Sequence, residues 1–178
     1  MKPVNMYHLA AVALAVVLAM PGCATMEVNA YSGRRLETPS RTYDWGRSAV
    51  QPTGDPRLDN NEFFEVRVRA AVERQLAQRG WRKAIDNPGV LVHYHASVVQ
   101  DLMFVGAETA AGYCTDCKPE VYDSGTLLID IVGAGDEQLL WRGWAKDNVS
   151  GLVDNQKWLD ARVDEAITRI FAKWPTAF

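Results

Sequence analysis

His93 and His95 stand two residues apart, and Cys114 and Cys117 stand three apart. On a strand, a separation of two puts both imidazoles on one face of the sheet. A C-x-x-C step is half of a zinc knuckle, and two His with two Cys would complete a tetrahedral site. The same step, Cys114-Thr115-Asp116-Cys117, also invites thiol redox chemistry. That chemistry places the pair at the start of a helix after a strand, where the dipole lowers a thiol pKa. Here Pro119 follows closely and the surroundings read as loop. There is no second C-x-x-C and no helical His pair. The plainer reading is two solvent-face histidines and one small disulfide between Cys114 and Cys117, with no metal and no cofactor. A metal-binding or thiol-redox module using Cys114, Cys117, His93 and His95 is the alternative.

Other chemistry finds less support. No G-x-S-x-G elbow and no phosphate-cradling Gly loop occurs, and one of the three His, His8, lies in the leader. Asp130 sits in an apolar strand, where a carboxylate can be perturbed for catalysis. Alternation instead turns it outward, opposite Ile129 and Ile131. If Leu127, Ile129 and Ile131 face a helical layer, His93, His95 and Asp130 share the other face. One of Trp141 and Trp144, three apart, must point there too. His93, His95, Asp130, Arg142 and Trp144 then form a possible binding face, set against the plainer reading of a solvated face. No catalytic residue is assigned, and the chain is expected not to be an enzyme.

These residues follow a leader. Lys2 is charged, Leu9 to Met20 is an uninterrupted apolar run, and Pro21-Gly22-Cys23-Ala24 is small and turn-prone. A charged start and an apolar stretch too short for a comfortable span describe a secretory signal peptide over residues 1–22. Cys23 at the cut resembles the lipobox of bacterial lipoproteins, where the thiol is acylated and becomes the N-terminus. A plain secretory leader and a short retained helix are the other readings. Ala24 in place of the Asp that signals inner-membrane retention favours the outer membrane, on its periplasmic face. An oxidising compartment is also where the late Cys pair would close.

Removing residues 1–22 leaves 156, enough for one domain, 23–178, with a real core. Without Lys2 the 19 Lys plus Arg become 18, against 22 Asp plus Glu, a formal charge of −4. A mildly acidic chain with interspersed signs does not bind nucleic acid and lacks a basic cluster for anionic lipid. Its expected partners are the membrane, through N-terminal acyl groups such as palmitate, and an unidentified envelope protein or ligand.

Hydrophobic period places the elements. Met26, Val28 and Ala30 alternate with polar residues over Thr25 to Ser32, which predicts a strand. Arg41 to Trp45 predicts a second, and Gly46 to Asn61 a loop. Asp59, Asn60 or Asn61 can cap a helix whose stripe is Phe64, Val68, Ala71, Val72 and Leu76, ended by Gly80. Strands follow at Val90 to Val99, Gly125 to Val132 and Gln138 to Ala145, the last two joined by the turn Gly133-Ala134-Gly135-Asp136. Gln100 to Tyr122 reads as a long insertion carrying both late cysteines, functional or mobile at that length. Asp154 or Asn155 caps a last helix with Leu159, Val163, Ala166, Ile167, Ile170 and Phe171 on one face. The predicted fold is α+β: a two-layer sandwich with a mainly antiparallel five-stranded sheet and two helices on one face.

Six stretches carry a family resemblance: Tyr43 with Trp45, Gly80-Trp81, Leu91 to His95, Gly125 to Asp130, Trp141 to Ala145, and Phe171 to Pro175 with the helix before it. Together they resemble the bacterial lipoprotein family called domain of unknown function 4136, over almost all of the chain after the leader. The resemblance implies a lipid-anchored envelope domain with no established activity, and it supplies no catalytic residues.

Overall fold

The computed structural model describes residues 26–33, 41–47, 52–59, 61–106, 114 and 116–175. The leader and Cys23 lie outside the described residues. The elements in chain order are β1 (Glu27–Ser32), β2 (Thr42–Trp45), α1 (Pro56–Asp59), α2 (Glu62–Gln78), β3 (Arg82–Lys83), β4 (Val90–Val105), β5 (Lys118–Gly133), β6 (Leu139–Asn148) and α3 (Gln156–Phe171). One sheet takes the order β1-β6-β5-β4-β2-β3. Its long pairs are antiparallel, while β2 runs parallel to β3 and β4. A parallel pair needs a crossover, and α1 with α2 supplies it between β2 and β4.

The helices form where caps and stripes predict. Asn61 accepts the Phe63 N–H at the start of α2, and Asn155 accepts the Trp158 N–H at the start of α3. Gly80 takes φ +77° just past α2, a left-handed conformation that costs glycine nothing. The helices lie side by side in the same direction. Arg67 pairs with Asp160 at 2.6 Å near their starts, Arg74 with Asp164 midway, and Arg79 donates to the Phe171 carbonyl at 2.7 Å near their ends.

Both stripes face the sheet. Val90 and Val92 of β4, Ile129 and Ile131 of β5 and Trp141 of β6 are fully buried, as are Val68, Val72 and Leu76 of α2 and Ile167 and Ile170 of α3. Each such aliphatic side chain contributes about 1.5–3 kcal/mol by leaving water. Gly143 lets α3 come close, because a Cβ there would meet Ile170 and the Trp141 ring. Phe171 stacks on Trp174 at 5.3 Å, with Trp141 tilted against both. The Trp141 indole N–H finds no acceptor among the described residues, a cost of about 1–3 kcal/mol that the ring's burial offsets.

Three features differ from the sequence reading. The two-residue β3 makes a sixth strand, held parallel to Thr42 and Tyr43; it is too short to show a period. The expected loop Gly46 to Asn61 contains the one-turn helix α1, capped where Asp55 accepts the Arg57 N–H at 2.8 Å. The expected insertion Gln100 to Tyr122 begins and ends as strand, with Gln100 to Val105 in β4 and Lys118 to Tyr122 in β5. β4 and β5 stay paired from Val90↔Gly133 out to Val105↔Lys118, whereas β6 leaves β5 at Ser124↔Asn148. Gln100–Val105 and Lys118–Asp123 therefore form a two-stranded ribbon about 20 Å long beyond the sheet. Apolar residues on both of its faces hide the alternation that marks a half-buried strand. No helix among the described residues is long and apolar enough to cross a membrane.

Two predictions follow from this core. Ile167→Asp puts an unpaired charge at a fully buried position and should cost about 4 kcal/mol or more, abolishing the cooperative melt in circular dichroism. An unchanged melting temperature would contradict the placement of that face. The Tyr43 phenol is pushed up to about 12, by burial first and then by the Glu73 and Asp44 carboxylates. An unfolded phenol ionises near about 10. The stabilisation is whole below about pH 10 and is lost as pH rises through 12, about 2–3 kcal/mol in all. Tyr43→Phe should flatten the fall in unfolding free energy across that window, measured by urea titration at each pH.

Candidate functional site: the uncovered sheet face

Because strand side chains alternate, the register that buries Ile129 and Ile131 turns Leu128 and Asp130 to the other face. Pairing across the sheet sets those outer residues in rows. Tyr31, Arg142, Asp130 and His93 form one row, and Asn29, Trp144, Leu128 and His95 the next. The third holds Glu27, Lys146, Thr126 and Ser97. All five residues of the sequence-predicted binding face thus lie in two adjacent rows. Of Trp141 and Trp144, the latter faces outward, half-buried, while Trp141 enters the core.

The first row centres on an ion pair. Arg142 Nε and Nη2 each donate to one oxygen of Asp130, both at 2.6 Å. This bidentate fork is the strong form of a charge-assisted hydrogen bond. It holds the guanidinium above its ordinary pKa, against the opposing effect of burial. Asp130 is only 6% exposed, so Arg142 is what makes a carboxylate tolerable there. Both carboxylate oxygens are engaged, which suits Asp130 to positioning Arg142 rather than to moving protons.

His93 lies beside this pair and at the wall of a second feature. Gly46 donates its N–H to the Val92 carbonyl at 2.9 Å, and a Cβ at position 46 would collide with the His93 ring. Any side chain at position 46 would displace the imidazole from this position. Around them opens a cleft of about 690 Å³ whose walls include Asp44, Trp45, Arg47, His93 and Glu137. Asn87 and Glu137, the two non-glycine residues with positive φ among those described, both line it. For Glu137 the hairpin turn is the cause: its N–H donates to the Gly133 carbonyl at 2.9 Å, closing the β5–β6 turn.

At the other end of the face, Lys146 reaches Asp101 at 3.4 Å and the Tyr122 hydroxyl donates to the same oxygen at 3.3 Å. The Asp101 carboxyl is held below its usual range, chiefly by the Leu102 N–H and then by Lys146. Sequence reasoning missed Tyr31, Gly46 and the cleft. Parity puts Tyr31 on the outer side of its strand, but nothing local tells that β1 adds beside β6.

The sulfur and imidazole groups do not meet. Cys114 and Cys117 are joined through sulfur, with Cα atoms 5.5 Å apart. They lie beyond the Val105↔Lys118 pair, whereas His95 pairs with Leu128. Ten residues of extended strand separate His95 from Val105, roughly 33 Å. The alternative four-ligand site is therefore not formed. Among the described residues no group of three or more His, Cys, Asp or Glu could hold a metal ion.

The family model described as Domain of unknown function (DUF4136) matches residues 38–176. The chain belongs to this family. The match spans the Gly125–Asp130 strand and the Trp141–Ala145 partner that carry the sequence resemblance. No curated protein matches the chain. Among solved structures, it is similar to a PDZ domain protein from Parabacteroides distasonis ATCC 8503, with TM-score 0.53 and 13% identity over 86% of this chain and 36% of that one. The DUF4136 chain thus spans about a third of that protein, and the likeness is one of fold. Two PelC dodecamer structures from Paraburkholderia phytofirmans match with TM-scores of 0.41 and 0.44 and identities of 11% and 9%. Each covers 83% of this chain, and 95% and 96% of its own.

The ion pair yields a stability prediction. Arg142→Ala strands a carboxylate that is nearly buried. With the arginine side chain itself 41% exposed, the cost falls below that of a fully buried pair, at about 1–3 kcal/mol. Asp130→Asn should cost less, since it removes the charge along with the need for a partner. Equilibrium urea unfolding measures both. Equal losses for the two variants would show that the charge is not what Arg142 serves.

Proposed function

We propose that this DUF4136 domain is the periplasmic part of an outer-membrane lipoprotein, anchored through acyl groups on Cys23, and that it acts by binding rather than catalysis. In this reading residues 1–22 are the removed signal peptide and 23–178 the single domain. The binding surface is the outer sheet face around His93, His95, Asp130, Arg142 and Trp144, continuous with the His93 cleft. One observation carries the non-enzymatic half: the only carboxylate among those five residues, Asp130, has both oxygens taken by Arg142. The remaining groups, an exposed imidazole, a half-buried indole and a guanidinium whose Nη1 is not part of the fork onto Asp130, suit recognition of an envelope protein or ligand. Aromatic and arginine side chains are the types that carry binding energy at such surfaces.

The anchoring half rests on the leader and on geometry. β1 begins at Glu27 and is already paired there with Lys146, so the folded domain starts within a few residues of Cys23. Two or more acyl chains hold a protein on a bilayer where one does not, at about 0.8 kcal/mol per buried methylene.

Cys23→Ser in the full-length chain should release the protein from the membrane fraction or leave the precursor uncut. Fractionation with intact-mass measurement decides it. A mature chain beginning at another residue with an unmodified N-terminus would refute the anchor. In the same cells, a photo-crosslinker at His95 should give a discrete product that Trp144→Ala weakens. Equal crosslinking before and after that change would count against the face.

A further inference from the structure

We propose that the β4–β5 ribbon is a second membrane contact, lying with its apolar side chains in the interface of the bilayer that holds Cys23. The inference rests on the anchoring reading above.

Direction comes first. β1 is antiparallel to β6, and its first residue, Glu27, pairs with Lys146. Lys146 pairs with Thr126, and Thr126 with Ser97. The chain therefore enters the sheet at the end from which the ribbon leaves. Reach comes second. Four peptide steps separate Cys23 from Glu27, at most about 14 Å of extended chain. From Thr126, in the same row, to Lys118 at the far end of the ribbon, eight residues of β5 run about 27 Å. Twist of about 20–25° at each of the two steps from β1 to β5 shortens that reach along the direction of β1 to about 19 Å. The arm is longer than the tether. A bilayer close enough to receive Cys23 acyl chains is close enough to receive the arm.

The side chains fit that position. Phe104 is 70% exposed, Val121 62%, Leu102 58% and Val105 46%. Leu102 pairs with Val121, and Phe104 with Pro119, so three of these lie on one continuous apolar strip. Such a strip on a protein surface marks an interaction site. Asp101, Glu120 and Asp123 outnumber Lys118 on the ribbon, so the attraction is not to anionic headgroups and should resist salt. Among the described residues, neither outer backbone edge of Gln100–Val105 and Lys118–Asp123 pairs with a third strand. Unpaired peptide groups cannot enter the hydrocarbon core, so the ribbon rests in the interfacial layer and does not span.

The test uses the full-length acylated chain in phosphatidylethanolamine and phosphatidylglycerol vesicles. Phe104→Cys carries an environment-sensitive fluorophore, while the bonded Cys114–Cys117 pair and acylated Cys23 do not take the label. Gly135→Cys is the control at the opposite end, where a Cβ meets nothing within 4 Å. Brominated lipid should quench the Phe104 label roughly twofold or more, as expected for a group in the interfacial layer. Iodide should lose access to it, and neither should change for the Gly135 label. A Phe104 label as open to iodide in vesicles as in detergent overturns the proposal. A label hidden from iodide yet untouched by brominated lipid also overturns it, and assigns the ribbon to a protein partner. Intact mass of the same preparation separates the two readings. An unacylated chain defeats the anchor and this inference together, whereas an acylated chain with a water-exposed label defeats only this one. The melting temperature of Phe104→Cys should match the parent, since the side chain packs on nothing that the fold needs.

Discussion

The pairing of β5 with a neighbour on each side, in unbroken register from Ser124 to Ile131, is the constraint on which the rest of the molecule depends. Burying Ile129 and Ile131 beneath α2 and α3 fixes that register, because a slip of one residue would bring Leu128 and Asp130 into the core instead. The same choice sets Asp130 opposite both His93 and Arg142. Thus the hydrophobic layer and the polar outer face are two consequences of one alignment. The ion pair between Asp130 and Arg142 is stabilised by a neighbour relation that the core chose. It then penalises the slipped register a second time, since a carboxylate without its fork cannot be buried cheaply.

What the sequence made legible divides along the same line. The stripes of α2 and α3 and the alternation of Leu127 to Ile131 are local signals with one physical reading, and they give the α+β sandwich; the cap clusters fixed each helix start to within a residue or two, and the structure selects Asn61 and Asn155. The outward placement of His93, His95 and Asp130 was legible for the same reason, since parity alone sorts His93 from Val92 and Asp130 from Ile129, whereas it left open which of Trp141 and Trp144 faces out. Parity does not say which strands are neighbours. Tyr31 joins the Arg142 row only because β1 adds at the far edge, and that follows from long-range packing. Gly46 gave no signal that its missing Cβ makes room for an imidazole 47 residues later. The ribbon was misread because its composition is wrong for its context. Leu102, Phe104 and Val121 are strand-forming residues, but no described layer covers them, and Gly and Ala in the stretch that follows suggested a loop.

A two-stranded ribbon is marginal alone in water, so its persistence has to come from its base. There the chain is tied on both strands. Lys146 and Tyr122 hold Asp101, the Ser150 hydroxyl accepts the Asp123 N–H at 2.9 Å, and Arg57 reaches Asp123 at 3.3 Å. Arg57 also forks onto Asp55 and reaches Asp154 at 3.0 Å. It joins α1, β5 and the entry to α3 through one guanidinium and holds the Asp55 carboxyl below its usual range. Past Asp101 and Tyr122 the exposed side chains gain nothing from the fold. Leaving Leu102, Phe104 and Val121 in water forgoes burial worth about 1.5–3 kcal/mol each, which a layer outside the molecule would recover.

These features give the domain two unlike ends. The chain enters at the end that carries the ribbon and its base of acidic groups tied by Arg57 and Lys146. The His93 cleft opens at the other, beside the β5–β6 turn and the loop before β4. On the proposed anchoring, the apolar end meets lipid and the cleft faces away from it, with the Arg142–Asp130 row between them on the uncovered sheet. The aromatic cluster of Trp81, Trp141, Phe171 and Trp174 closes the core at the cleft end. None of these rings lines the cleft, whose walls come from strand ends and from the turns that hold Asn87 and Glu137. At the other end, a fluid interface asks no more of the ribbon than exposed apolar side chains and a fixed direction.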